Sequence, residues 1–468
     1  MNRRKFLRNA GLGAAALGVG AWSMSDASRQ GDHSRPPNII YILADDLGWG
    51  EPGCYGQKLI KTPNIDRMAA EGKRYTQHYA GSTVCAPSRC VLMTGKHTGH
   101  CFVRDNFNLA RGAYRGEKHQ EGNVPIPEDE VTVAEVLKKA GYTTGCIGKW
   151  GLGYPGSEGD PVNQGFDHFF GYNCQREAHS YYPGHLWRNR EKVMLEGNKG
   201  GKKQQYSHDL MADDALDFIR RNKDNPFFLY VPFTIPHAKF QVPDLGRYAD
   251  KPWKDIPKKH AAMVTRMDRD IGRMLDLLKE LGLDENTLVM FSSDNGPHGG
   301  GNTLQRFDTN GPFRGRKRDL YEGGIRVPLV ARWPGKITPG TVSEHVSCFQ
   351  DMMPTWAELA GTGRPSDTDG ISMAASLLDS GKQVEHEYLY WERGGHQKAV
   401  RIGKWKGVCN RMNRNADAPI ELYDLEKDPG EQNDIAENHP QIIDRIGKIM
   451  QSARVPVPDY APNRWKFK

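Results

Sequence analysis

From residue 37 onward the chain alternates continuous apolar runs with amphipathic stretches. The first run, Ile-Ile-Tyr-Ile-Leu-Ala at 39–44, has no polar position to turn toward solvent, which predicts a strand buried on both faces. Pro-Phe-Phe-Leu-Tyr-Val-Pro-Phe (226–233) and the run that ends in Phe-Ser-Ser-Asp-Asn-Gly (291–296) read the same way. Elsewhere apolar positions recur at helical spacing. Val264, Met267, Ile271, Met274, Leu275, Leu278 and Leu281 predict one long helix over 259–282. Residues 62–72 predict a shorter one, with Thr62 as N-cap, Pro63 in the first turn and Gly72 at the exit. Residues 131–150 predict a helix ending at Gly141, then a strand. Repeated strand–helix–strand units imply an α/β fold with a mainly parallel sheet flanked by helices.

The rhythm changes near residue 380. Glu-Tyr-Leu-Tyr-Trp (387–391), Lys398–Val408 and Ile-Glu-Leu-Tyr-Asp-Leu (420–425) are short, aromatic and β-branched, and a helix-like segment follows from Pro440. This predicts a small antiparallel sheet with one packed helix. The expected division is a large domain over 28–380 and a C-terminal α+β subdomain over 381–468.

The first 27 residues differ in kind. Arg3 and Arg4 precede a Gly- and Ala-rich, weakly apolar segment, with Ser25 and Ala27 at spacing suited to a cleavage site. The pattern reads as a twin-arginine signal, hence export through the twin-arginine machinery to the periplasm or the exterior, and it is too short and mild for a stable membrane anchor. Its removal takes four basic and one acidic side chain, lowering the formal charge from +7 to +4. That mild bias suits an anionic substrate and is too small to argue for nucleic acid. The eight cysteines form no CxxC pair, which disfavours a zinc knuckle, and their pairing cannot be read from spacing.

Two predicted strands end in oxygen-rich pairs, Asp45–Asp46 and Asp294–Asn295. Ligands of open α/β sheets gather at such carboxyl edges. Adjacent carboxylates repel unless a cation lies between them, and three carboxylates with an amide oxygen form a hard donor set suited to Ca²⁺ or Mg²⁺. In Ser-Thr-Val-Cys-Ala-Pro-Ser-Arg-Cys-Val-Leu-Met-Thr-Gly (82–95), Pro87 suits a first helical turn. Cys85 then stands at a helix N-terminus, where amides and the dipole favour negative charge, with Arg89 one turn on.

Cys85-x-Pro-Ser-Arg89, followed by an apolar pair and Thr94-Gly95, resembles the modification signature of the type I sulfatases. Residues 141–153 resemble that family's second signature, and further likenesses lie at 45–50, 293–296, 313–328 and 421–429, in the family's order. The resemblance implies an alkaline-phosphatase-like fold and hydrolysis of sulfate esters, with a sulfated carbohydrate as the expected substrate and aryl sulfates as surrogates. It implies that a formylglycine-generating maturation enzyme oxidises Cys85 to Cα-formylglycine. It implies one Ca²⁺ held by Asp45, Asp46, Asp294, Asn295 and the modified Cys85. Arg89 and Lys149 would hold the aldehyde hydrate and the sulfate oxygens, Lys317 would contact sulfate near the leaving oxygen, and His237 would protonate the departing alcohol. One hydroxyl of the hydrate would attack sulfur, and loss of a proton from the second would expel sulfate.

The chain departs from that pattern at Gly151, where the family commonly has a histidine thought to deprotonate the diol. His298, beside Asp294 and Asn295, is the expected stand-in. Residues 171–189, rich in His, Tyr, Arg and Trp, read as an insertion over the active edge, with Gln175, Arg176 and His179 as candidate substrate-binding residues. Two competing readings stay open: a phosphoesterase of the same superfold, which would call for a Ser or Thr nucleophile and His-rich zinc sites, and a non-catalytic binder of sulfated glycans.

Overall fold

The computed structural model describes residues 35–107, 109, 121–412, 414–415 and 418–456 of the 468-residue chain, so the expected signal over 1–27 lies outside the described residues. Among these, the main sheet contains β1 (Asn38–Ala44), β2 (Lys73–Tyr79), β3 (Thr143–Lys149), β4 (His168–Tyr172), β5 (His185–Arg188) and β6 (Glu191–Met194). It also contains β7 (Phe227–Pro232), β8 (Thr287–Ser293), β9 (Arg326–Arg332), β10 (Thr341–Ser343) and β11 (Ser347–Cys348). The order is β10-β2-β9-β8-β1-β7-β3-β4-β5-β6, with β11 also on β2. The central five, β8 to β4, run parallel. Antiparallel β9 joins β8 to β2, and the β5–β6 hairpin extends the sheet beyond β4.

The unbroken apolar run of β1 follows from cover on both faces. Ile40, Ile42 and Ala44 enter one core with α1 (Pro63–Ala70), α4 (Ser207–Arg221) and α5 (Asp255–Glu280). Ile39, Tyr41 and Leu43 enter the other with α2 (Cys85–Thr94) and α3 (Val133–Lys139). There Trp356 packs edge-on to Tyr41 with ring centroids 5.0 Å apart. Four fully buried aliphatic side chains on β1, Ile39, Ile40, Ile42 and Leu43, contribute roughly 6–12 kcal/mol as an upper estimate.

The short helix over 62–72 forms, with two local corrections. Thr62 Oγ1 accepts from Gly53 N and donates to Asp66 rather than capping its own helix. Gly72 has no left-handed φ; it is small because a Cβ there would lie 2.2 Å from the Ala331 carbonyl oxygen, where β9 passes β2. Residues 171–189, read as an insertion, start at the end of β4 and close on β5, which pairs antiparallel to β4.

A separate four-stranded antiparallel sheet contains β12 (Leu389–Arg393), β13 (Gln397–Ile402), β14 (Trp405–Cys409) and β15 (Ile420–Asp424). Ile446 and Met450 of the helix Pro440–Ser452 pack on it. This sheet braces both flanks of α2: Trp391 Nε1 donates to the Ala80 carbonyl at 2.9 Å, and Glu392 N donates to Thr98 Oγ1 at 2.7 Å. Lys406 on β14 is fully buried, with Nζ 2.8 Å from Glu322 and 2.9 Å from Glu431, both also fully buried. Lys406→Met takes from buried Glu431 the lysine it meets and leaves Glu322 with Arg326. It is expected to destabilise the fold by about 3–5 kcal/mol, read from the chemical denaturation midpoint.

Candidate functional site

The site lies at the carboxyl ends of β8, β1, β7 and β3. Asp45 and Asp46 follow β1, Asp294 and Asn295 follow β8, His237 lies in the loop after β7, and Lys149 ends β3. Parallel pairing aligns Ala44 with Ser293, which brings the two acidic pairs side by side, and Asp46 N donates to Asp294 Oδ1 at 3.1 Å. Each carboxylate meets a cation. Lys149 Nζ is 2.6 Å from Asp45 Oδ2, Lys317 Nζ is 2.6 Å from Asp46 Oδ1, and Arg89 reaches Asp294 Oδ2 through Nε at 3.1 Å and Nη2 at 2.8 Å. Burial works to raise the carboxyls of Asp45 and Asp46, but these cations and His237 hold both below the usual range. Asp294 is pushed up to about 6 by burial and by the charge of Asp45, against Arg89 and Lys149.

Cys85 opens α2 and is 1% exposed. Its Sγ lies 3.4 Å from Asp45 Oδ1 and 3.3 Å from Lys317 Nζ. A helix N-terminus favours a thiolate, yet burial, Asp294 and Asp45 together push this thiol up to about 12. As a cysteine it is therefore protonated at neutral pH and a poor nucleophile. Arg89, one turn on, points at Asp294 and at the Lys149 carbonyl rather than back at Cys85. All eight cysteines are free thiols.

His237 Nε2 is 3.3 Å from Asp46 Oδ2, and Nδ1 meets the Ala238 carbonyl. Burial lowers the ring to about 3 despite Asp46, so the neutral tautomer carries its proton on Nδ1 and turns a lone pair toward the carboxylate. Two acceptors at that distance call for a proton or a cation between them. Asp46 Oδ2 and Asn295 Oδ1 accept no hydrogen bond although both are buried. The arrangement is a cluster of hard oxygens that suits a cation, flanked by two lysines that can meet an anion.

The remaining candidates separate. The His179 ring stacks on His237 with centroids 4.6 Å apart. Gln175 is buried beside Gly151. Arg176 is half exposed and pairs with Glu177 at 3.1 Å. His298, half buried, has its ring 6.3 Å from that of His237. It does not fill the space beside Gly151; the Gln175 amide does. Sequence reasoning missed two supports. Asn106 Oδ1 accepts from Ala86 N at 2.7 Å and so caps α2 from a distant loop. The Tyr181 hydroxyl lies 2.7 Å from the Thr234 carbonyl and 2.6 Å from that of His237, steadying the β7 loop. Neither carries a local signal: one is an Asn 20 positions beyond the amide it caps, the other a Tyr 56 positions from its partner.

Residues 37–362 match the family described as Sulfatase, and residues 313–455 match that described as N-sulphoglucosamine sulphohydrolase, C-terminal. The chain is 35% identical over 403 residues to the N-acetylgalactosamine-6-sulfatase of Canis lupus familiaris, covering 80% of this chain and 71% of that protein. It is 33% identical over 467 residues to arylsulfatase A of Homo sapiens, covering 89% and 87%. Among solved structures, Ps i-CgsB in complex with k-i-k-neocarrahexaose is similar with a TM-score of 0.78 and 28% identity, over 92% of this chain and 96% of that one.

Asn106→Ala removes the cap from α2 and is expected to lower the unfolding free energy by about 1 kcal/mol, measured by denaturant titration.

Proposed function

The chain belongs to the sulfatase family, within the alkaline phosphatase superfamily, and from that premise we propose that it cleaves the sulfate esters of a sulfated carbohydrate through a Ca²⁺-assisted Cα-formylglycine made from Cys85. As a member it is a sulfuric ester hydrolase. The observation that carries the finer reading is the buried set Asp45, Asp46, Asp294 and Asn295 beside Cys85, with two of its oxygens accepting no hydrogen bond. Three carboxylates and an amide oxygen fit a hard divalent cation and not a histidine-rich zinc pair, which disfavours the phosphoesterase alternative. Bound here, the cation and the aldehyde hydrate would supply an activated oxygen nucleophile for attack on sulfur.

The chain's own side chains have distinct tasks in this proposal. Lys149 and Lys317 present positive charge to the sulfuryl oxygens as negative charge develops. Arg89 holds Asp294 and the Lys149 carbonyl, so it positions one cation site and one lysine together. His237 turns Nε2 into the site and delivers a proton to the departing alcohol once the anionic sulfate beside it favours the charged ring. His298 is proposed to take the last proton. Five such groups around one cysteine exceed what a non-catalytic glycan binder requires.

The carbohydrate assignment is supported by the relatives' names and by the saccharide held in the similar solved structure. Export by a twin-arginine signal over 1–27 and service by a formylglycine-generating enzyme belong to the same proposal. So does a C-terminal subdomain from 381, supported by a separate sheet that begins at Leu389. Among the described residues no helix is long and apolar enough to cross a membrane.

Mass spectrometry of the Cys85 peptide, from protein made alongside a maturation enzyme, is expected to show the aldehyde. Finding only thiol, with no turnover of an aryl sulfate, would overturn the proposal. Cys85→Ala is expected to abolish turnover with the fold intact. Asp294→Ala is expected to lose calcium binding by isothermal titration, and unchanged affinity would remove it from the ligand set.

A further inference from the structure

Past the end of β4, the side-chain amides of Asn173 and Gln175 are buried, at 1% and 7% exposure. Neither amide donates or accepts a hydrogen bond at its nitrogen or its oxygen. Folded interiors leave few such groups, and two within three residues beside a reactive centre mark a place where a ligand completes the bonding. Their backbone, by contrast, is firmly held. Gly151 N donates to the Asn173 carbonyl at 3.0 Å, and Gln175 N donates to Asn123 Oδ1 at 2.7 Å. Asn123 in turn donates to the Phe107 carbonyl, next to the Asn106 that caps the helix of Cys85.

Gly151 explains where the Gln175 amide goes. Its backbone has φ +81°, and a Cβ built there would lie 1.9 Å from Gln175 Nε2 and 2.7 Å from Cδ. The missing side chain two residues beyond Lys149 is thus the opening through which the amide lies across the end of β3. In sheet order the carboxylates of β1 come first, then the loop of His237 after β7, then Lys149 on β3, then these amides on β4. At about 4.8 Å per strand, the end of β4 stands one strand beyond Lys149 and roughly 14 Å from the end of β1. The amides thus border the site on its β4 side, past the lysine and away from the carboxylates of β1.

We propose that Gln175, with Asn173, is a specificity-determining pair that hydrogen-bonds hydroxyl or acetamido groups of the saccharide next to the sulfated carbon. A carboxamide offers two donors and an acceptor, matching such groups, and it does not titrate, so it positions substrate and moves no proton. The inference rests on the carbohydrate reading above and assigns that substrate its contact.

The test compares matured wild type with Gln175→Leu and Asn173→Leu on two classes of ester: 4-nitrophenyl sulfate and a panel of sulfated N-acetylhexosamines and galactoses. The expected result for each variant is a KM for the saccharide raised about tenfold, the loss of one good hydrogen bond, with kcat/KM on the aryl ester within about twofold. Gly151→Ala, which crowds the amide from the opposite side, is expected to repeat the saccharide effect. Equal losses on both esters would move the amides to the reacting group and overturn the proposal, and so would unchanged kinetics on both, which would mean that water fills the site. Wild type that cleaves the aryl ester but no saccharide overturns the carbohydrate reading itself.

Discussion

Three buried carboxylates held against three buried cations are the constraint on which the rest of the site depends. Asp45, Asp46 and Asp294 are brought together by parallel strands whose ends cannot diverge, and Lys149, Lys317 and Arg89 converge from three other segments to neutralise them. A buried charge that loses its partner costs several kcal/mol, so none of the six can be exchanged alone without loss to the fold. Burial, with the charges of Asp294 and Asp45, keeps the thiol of Cys85 protonated, while the lysines beside it favour an incoming anion.

How much of this was legible along the chain depended on whether the signal was local. β1 was readable because cover on both faces leaves only apolar residues between Asn38 and Asp45, and the acids after it broke that run abruptly. The long helix α5 was readable because its inward face repeats with the helical period over 26 residues. Partners were not readable. The link between Arg89 and Asp294 spans 205 positions, and the Lys317–Asp46 pair spans 271. Gly72 was misread for the same reason: a glycine at a helix exit suggests a left-handed turn, while the true demand comes from a strand some 260 residues later.

The position of Gly151 shows how a departure from a familiar pattern is better understood as an exchange of volume than as a loss. The backbone there is left-handed, and the neighbouring segment sends an uncharged amide over it. A titratable ring and a carboxamide make opposite contributions: the first can move protons, the second can only recognise. The proposed proton transfers therefore rest on His237 and His298, on the loops after β7 and β8, whose rings lie 6.3 Å apart.

The bracing of α2 by the small C-terminal sheet sets a clock. Trp391 and Glu392 come from positions about 300 residues downstream to hold the segments before and after α2, the helix that Cys85 opens, and in the folded chain Cys85 is 1% exposed. Any protein that must take hold of this cysteine has to do so while the chain is still incomplete or loosely folded. At roughly 5–20 residues per second, the ribosome leaves an interval of about 15–60 s between the emergence of Cys85 and that of the strand that braces its helix. The proposed oxidation of Cys85 is thereby an event that belongs before the docking of the small sheet.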